Sequence, residues 1–335
     1  MIRTAIARAV LRDDLPSELA RASMEQILDG DATPAQIGAL AVALRMKGET
    51  PEEIAGMAAA MRERVPPIRT RRAPVLDTCG TGGDNAGTFN ISTTSAIVVA
   101  SCGVAVAKHG NRAVSSRTGS ADVLEALGVG LDLTPESAAR SLDVLGITFL
   151  FAPNYHAALR HAARPRRDIG VRTILDLLGP LTNPAGARRQ LVGVFSDRLV
   201  RRIAEVLKIL GSERAWVVHG LDGLDELTVI GRSHVAELDH GEIHEFEVDP
   251  APLGLAHTER GGLEGGDAAA NAVKIRAVLA GEKGSARDIV VLNAGGALVV
   301  AGAVKDLAEG VARAQEAIDS GRAARQLAGL TAFRD

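Results

Sequence analysis

Aromatic side chains are scarce in this chain: six Phe, one Trp and one Tyr among 335 residues. Stacking platforms for single-stranded nucleic acid have little to be built from. An excess of one charge sign is also missing. The formal net charge is −3, so neither a basic face for nucleic acid nor a polybasic patch for a membrane surface is expected. Two cysteines, Cys79 and Cys102, make no disulfide framework, and no CxxC or Cys/His cluster suggests zinc. Such cysteine usage fits a reducing, cytoplasmic setting. The longest apolar stretch, Ala96 to Ala107, is interrupted by Ser101 and Gly103 and is too short to span a bilayer. Arg3, Arg8 and Arg12 break the apolar residues of Met1 to Leu15, which reads as an amphipathic helix and not as a signal-peptide core. What remains is ordinary globular composition, 46% hydrophobic and 24% charged, in a chain long enough for one large domain or two.

Residues 1 to about 65 read as helices only. Thr33-Pro34-Ala35-Gln36 and Thr50-Pro51-Glu52-Glu53 are capping boxes with proline at the first helical position, and Gly30 and Gly48 sit where helices should stop. The segment Val65 to Arg72 breaks the pattern and reads as a hinge. From residue 74 short Val/Ile/Leu/Ala strands alternate with helices, the signature of a largely parallel sheet with helices on its faces. Strands are expected at 74–77, 104–107, 147–151, 190–195 and 215–218, and helices at 92–101, 119–127, 135–144, 197–210 and 267–280. Residues 235–246 look like a hairpin turning at Asp239-His240-Gly241. Prolines and arginines mark 153–186 as a segment that crosses between domains or lines a cleft. The expected class is therefore α/β. A small N-terminal α-helical domain comprises residues 1–66 with part of 153–186, and a large α/β domain with a mostly parallel central sheet spans 74–335.

Four constellations carry chemistry. Asp77-Thr78-Cys79-Gly80-Thr81-Gly82-Gly83-Asp84 is a glycine-dense loop after an apolar run, suited to bring backbone N–H groups onto an anion. Thr88 to Ser95 then places hydroxyls and an amide before an apolar helix, where free N–H groups favour phosphate, although Ser92 or Thr93 alone would read as a helix cap. Neither a Walker A ending nor a dinucleotide fingerprint is present. Lys108-His109-Gly110-Asn111-Arg112 with Ser115, Ser116 and Ser120 supplies a second anion cradle, or simply a solvated loop tip and a cap. Asp225 and Glu226 follow the strand Ala215 to Val218 and suit Mg²⁺, or form a polar turn. Arg166, in the proline-framed stretch Arg164 to Gly170, suits a carboxylate clamp, or belongs to a surface arginine cluster.

Together these motifs resemble the anthranilate phosphoribosyltransferase family. The Cys-Gly-Thr-Gly-Gly-Asp loop, Asn-Ile-Ser-Thr-Thr, Lys-His-Gly-Asn-Arg, Gly-Ser-Ala-Asp, Gly-Pro-Leu-Thr-Asn-Pro and Asp-Gly-Leu-Asp-Glu occur in the family's order across residues 74–230. The resemblance implies the nucleoside phosphorylase and class IV phosphoribosyltransferase architecture. It also implies transfer of phosphoribosyl from 5-phosphoribosyl 1-diphosphate to the amine of anthranilate in tryptophan biosynthesis, Mg²⁺ as cofactor, and a homodimer through the small domain. It places Gly80, Gly83, Asp84 and Thr88 in the phosphoribosyl-diphosphate loop, and Asn90, Ser92, Thr93, Lys108 and Ser120 on the diphosphate. Asn111 and Arg166 fall beside anthranilate, and Ser92, Asp225 and Glu226 on Mg²⁺. His109 is a candidate proton acceptor or a structural residue. The family pattern has Asn where this chain has Asp176, and Lys-Ser where it has Arg117-Thr118. Two other activities fit the architecture, a pyrimidine nucleoside phosphorylase and a non-catalytic nucleic-acid-binding relative. The acidic balance and the retained Asp225 and Glu226 disfavour the second. No nucleic acid or membrane partner is expected.

Overall fold

Capping chemistry sets the first helices. In the computed structural model, which describes every residue except 85, 114–116, 258, 260 and 335, α1 (Ile2–Val10) and α2 (Ser17–Asp29) precede α3 (Pro34–Lys47) and α4 (Pro51–Arg62). The Thr33 and Thr50 hydroxyls accept from the amides of Gln36 and Glu53, whose side chains accept in turn from the cap N–H groups.

The chain then alternates. β1 (Val75–Gly80), α5 (Ile91–Ser101), β2 (Ala105–Gly110), α6 (Ser120–Leu127), α7 (Pro135–Leu145) and β3 (Ile147–Phe151) come first. The short helices α8 (Ala152–Tyr155), α9 (Arg160–Ile169) and α10 (Ile174–Leu177) follow, then β4 (Arg189–Gly193), α11 (Val200–Ile209) and β5 (Arg214–Gly220). The hairpin β6 (Ser233–Asp239) and β7 (Glu242–Val248) turns at His240-Gly241, as its sequence suggests. Helices α12 (Ala268–Leu279), α13 (Ser285–Val300), α14 (Leu307–Asp319) and α15 (Arg322–Ala332) complete the described chain.

The sheet has seven strands in the order β3-β2-β1-β4-β5-β6-β7. Pairs from β3 through β5 are parallel and the last two are antiparallel. The chain grows outward from β1 to β2 and β3, then returns to the other side of β1 for β4. Strand order reverses at that boundary, where the carboxyl ends of neighbouring strands leave a crevice. Side chains alternate across the sheet. Leu191, Trp216 and Val218 join a cluster with α5 and α13, while Val192 and Val217 face a second cluster that continues through α11 to Ile27, Leu40 and Ile54 of the N-terminal helices. Helix α9 packs on α2 and α3, and α4 packs on α11. β7 is the outer strand on one side. Glu242, Glu245 and Glu247 lie on it, with Glu245 paired to Arg201 at 2.6 Å and Glu247 to Arg232 at 3.0 Å.

Several expectations need correction. β1 and β2 run on through Gly80 and Gly110, so Thr78, Cys79, Lys108 and His109 are strand residues and not loop residues. Ladder pairing of Lys108 with Phe149 and of Thr78 with Leu191 carries these polar ends into the sheet. The helix expected at 197–210 starts with a 3₁₀ turn over Asp197–Leu199. No elements were expected after residue 280, yet α13, α14 and α15 lie there. α13 is buried nearly all round, so it shows no amphipathic period. Ile37, Leu40, Ala41 and Leu44, apolar residues of α3, are buried. Among the described residues 1–66 the exposed large apolar side chains are Met1, Val10 (66% exposed), Leu11 (74%), Val42 and Met46 (69%). Among the described residues no helix is long and apolar enough to cross a membrane.

Candidate active site

A cavity of about 340 Å³ opens at the carboxyl ends of β1, β2 and β5, facing α9 and α10. The structure brings the sequence-derived candidates together there. Gly80, Gly83, Asp84, Thr88, Asn90, Ser92, Thr93, Lys108, His109, Asn111, Ser120, Arg166, Asp225 and Glu226 all line it. Ser115 and Ser116, also read as part of the cradle, lie outside the described residues.

The glycine segment needs its glycines. Gly83 has φ +85°, and a Cβ there would lie 2.0 Å from Nη2 of Arg172, which also donates to the Thr81 carbonyl at 3.3 Å. The loop and the α5 N-terminus are held from outside. Gly265 N–H donates to Gly87 O at 2.7 Å, Phe89 N–H to Leu263 O at 3.0 Å, and Asn271 Nδ2 to Asn90 Oδ1 at 3.0 Å. Asn90 Nδ2 donates to the Thr118 carbonyl at 3.2 Å. Helix α5 thus begins at the cavity wall, its first N–H, that of Ile91, donating to Phe89 O at 2.8 Å. Ser92 N–H donates to Glu226 Oε1 at 3.1 Å.

Lys108 is buried at the end of β2. Its ammonium donates to Ser92 Oγ at 3.2 Å and to the Thr78 carbonyl. Burial lowers its proton affinity, while Asp77, Glu226 and Asp225 oppose that shift. Asp77 in turn accepts from the His109 N–H at 3.1 Å, which fixes the end of β2 against β1. Ser120 Oγ donates to Asn111 O at 3.2 Å, and Arg112 is tied to Asp122 at 3.0 Å and Glu125 at 2.9 Å, so this segment is braced on α6.

Asp225 and Glu226 are half-buried opposite α5. Burial raises the proton affinity of Asp225, and the neighbouring charges of Asp84 and Glu226 raise it further. Burial raises Glu226 too, against the pull of Lys108. Asp225 N–H approaches Asp84 Oδ2 at 3.4 Å. Partly buried carboxylates that repel one another are a donor set for a hard cation, and the residues fit Mg²⁺. Among the described residues no group of three or more His, Cys, Asp or Glu is arranged to hold a metal alone. A cation here would be shared with phosphate oxygens and water, the usual habit of Mg²⁺.

The third wall carries Arg166 on α9. Its Nε donates to Asp176 Oδ1 at 2.9 Å, and its Nη2 lies 2.8 Å from the same oxygen. Beside it His109 Nδ1 lies 3.2 Å from the Gly179 carbonyl, and its ring faces His156 at 5.0 Å between centroids. Burial holds His109 down to about 3 and His156 to about 4, so both imidazoles are neutral near pH 7.

Family models match both parts of the chain. One for the glycosyl transferase family, helical bundle domain, covers residues 3–65, and one for the glycosyl transferase family, a/b domain, covers 72–324. An anthranilate phosphoribosyltransferase of Citrifermentans bemidjiense is 53% identical over 99% of both chains. This chain belongs to the anthranilate phosphoribosyltransferase family. It is accordingly a transferase. The crystal structure of the family member from Thermus thermophilus superposes with a TM-score of 0.93 at 46% identity, over 98% of each chain. The Saccharomyces cerevisiae member, in complex with PRPP and Mg, aligns with a TM-score of 0.89 at 25% identity, over 98% of this chain and 96% of that one.

Against this family background, sequence reasoning missed five contributors to the site: His156, Arg172, Gly193, and the Gly265-Gly266 pair. Asp176 was noted only as a departure from the pattern. Gly193 ends β4, and a Cβ on it would lie 1.6 Å from the Asp225 carbonyl oxygen. A glycine closing an apolar strand beside a carboxylate loop was a legible signal. His156 and the Gly265-Gly266 pair had none, because no motif links them to the cavity.

Proposed function

We propose that this chain transfers the phosphoribosyl group of 5-phosphoribosyl 1-diphosphate to the amine of anthranilate, giving N-(5-phosphoribosyl)anthranilate and diphosphate in tryptophan biosynthesis. The observation that carries the reading is the meeting of three walls in one cavity: a glycine loop with a helix N-terminus, a half-buried carboxylate pair, and an arginine with neutral imidazoles.

Gly80, Gly83, Asp84 and Thr88 form the phosphoribosyl-diphosphate loop, and Asn90, Ser92, Thr93, Lys108 and Ser120 meet the diphosphate, with the Lys108 ammonium and the α5 dipole as the anion-binding frame. Ser92, Asp225 and Glu226 hold Mg²⁺. When bound, Mg²⁺ neutralises the diphosphate as it departs. Arg166 receives the anthranilate carboxylate and Asn111 lies beside the ring. The amine lone pair forms the new bond to the anomeric carbon as the bond from that carbon to the diphosphate oxygen breaks. An aromatic amine is already nucleophilic, so positioning and charge stabilisation supply most of the catalysis. The resulting aromatic ammonium is acidic and needs no strong base. His109 stays neutral, with Nδ1 committed to Gly179 and Nε2 without a partner among the described residues. With Nε2 enclosed by protein, it is suited to a structural role as a neutral imidazole rather than to storing a proton. The test is loss of anthranilate fluorescence with phosphoribosyl diphosphate and Mg²⁺, run beside a pyrimidine nucleoside with free phosphate. Turnover of only the second pair would refute the assignment.

We also propose the division into a helical unit, residues 1–66 with part of 153–186, and an α/β unit, 74–335, together with a cytoplasmic setting. A homodimer is supported by the exposed Val10, Leu11 and Met46 on the helical unit. The expected mass in solution is about twice 34.8 kDa. A monomer by light scattering at micromolar concentration would count against it.

A further inference from the structure

The arginine assigned to the substrate carboxylate already carries a carboxylate from its own chain. Asp176 is buried on α10, and both of its oxygens are engaged. Oδ2 accepts from the Thr173 N–H at 2.9 Å and closes the capping box of α10. Oδ1 receives Arg166 Nε at 2.9 Å and Nη2 at 2.8 Å, with Arg172 Nη1 at 3.5 Å. The Nε–Nη2 edge of Arg166 is therefore spent within the protein. That edge is one of the two along which a guanidinium grips a carboxylate in bidentate fashion.

We propose that Asp176 is a specificity-determining residue that competes with the anthranilate carboxylate for Arg166. This rests on the assignment of Arg166 to that carboxylate. With Asp176 ionised, an incoming carboxylate meets only the outer edge of Arg166 and faces a second negative charge on the guanidinium's other side. Charges balance as two arginines against two carboxylates once substrate is bound. With a neutral residue at this position, one carboxylate meets two arginines. An Asn placed here would be such a residue: its single oxygen can keep the Thr173 N–H, and its amide would then turn donors toward the Arg166 donors, releasing the guanidinium to the cavity. Arg172 gives the arrangement a second arm, because the same guanidinium packs on Gly83 and reaches Thr81 O.

The test is steady-state kinetics of the full chain carrying Asp176→Asn and, separately, Asp176→Ser. Serine keeps an acceptor for the cap and removes the charge, so a folding failure of one variant leaves the other to be read. The expected result in both is a fall of about fivefold in KM for anthranilate, the scale of a partly screened charge pair. The KM for phosphoribosyl diphosphate and kcat should stay within about twofold. The gain should vanish when either change is combined with Arg166→Ala. An unchanged or higher anthranilate KM in both variants, while Arg166→Ala alone raises it selectively, overturns the competition and leaves Arg166 in place. If Arg166→Ala leaves the anthranilate KM unchanged, the assignment of Arg166 falls and the proposal falls with it.

Discussion

Gly193→Ala reaches the proposed Mg²⁺ site through a residue that touches no substrate in the assignment above. A Cβ at this position would lie 1.6 Å from the carbonyl oxygen of Asp225. Carbon–oxygen contacts in proteins settle at about 3.3 Å, so one backbone must give way by about 1.7 Å. Gly193 has little room to yield. It sits in the β4 ladder between Gly80 and Val218, and its own carbonyl accepts from Thr81 N–H at 2.9 Å. The Asp225 segment is the softer partner, and its movement withdraws the carboxylates from the α5 N-terminus. Misplacement by about 1 Å at a reacting centre costs on the order of 100-fold. The expected loss in kcat/KM is thus at least about 100-fold, or about 2.7 kcal/mol of transition-state stabilisation. The Mg²⁺ concentration for half-maximal rate should rise with it. The assay is anthranilate fluorescence across a Mg²⁺ titration, with the thermal midpoint measured alongside. Gly130→Ala serves as control, because a Cβ there meets nothing within 4 Å. A folded Gly193→Ala protein with normal kcat/KM and normal Mg²⁺ response would refute the claim that Asp225 is held in place by this contact.

Asp225→Asn combined with Glu226→Gln removes the charges directly. It should lower kcat/KM by at least about 100-fold and flatten the Mg²⁺ dependence of the rate; normal activity with an unchanged Mg²⁺ response would make these acids a polar turn. Gly83→Val meets both a positive φ and the Arg172 guanidinium, so phosphoribosyl-diphosphate binding should be abolished while the circular dichroism spectrum stays native. Unchanged affinity in a titration would show that the loop does not contact that substrate. Burial holds the His109 proton affinity at about 3 in the folded chain against about 6.5 when exposed. The folded value is the lower one, so its contribution to stability is complete above about pH 6.5 and is lost as pH falls toward 3, at up to about 1.4 kcal/mol per pH unit. His109→Gln should therefore shrink the pH dependence of the urea midpoint between pH 6.5 and 4, and an unchanged slope would show that the imidazole titrates freely in the fold.

How much of this was legible from residues depends on which physical signal each feature leaves. The five parallel strands announce themselves through β-branched and aliphatic runs, but their carboxyl ends do not. Thr78, Lys108 and His109 are polar, and they are buried because neighbouring strands pair with them and because the cavity needs them there. Hydropathy treats the same residues as loop. α13 fails for the opposite reason. Ile289 to Val300 is apolar on every side, so neither the 3.6-residue nor the two-residue period stands out, and the helix is recognisable only by its surroundings. The candidate residues were found because short motifs mark the loops that the strands aim at one crevice. The Arg166–Asp176 contact left no such mark. It joins two helices whose relative placement comes from the packing of α9 on α2 and α3, and that packing is a tertiary fact.

The acidic outer strand has a bearing on how the chain behaves in a crowd. A sheet edge offers unsatisfied backbone groups to any extended peptide, including the edge of another copy. β7 meets that hazard with Glu242, Glu245 and Glu247, two of which are pinned by Arg201 and Arg232. An approaching copy would have to strip water from these charged side chains and ion pairs before any backbone hydrogen bond formed. Charge along the strand that lies farthest from the chemistry thus disfavours pairing of one sheet edge with another.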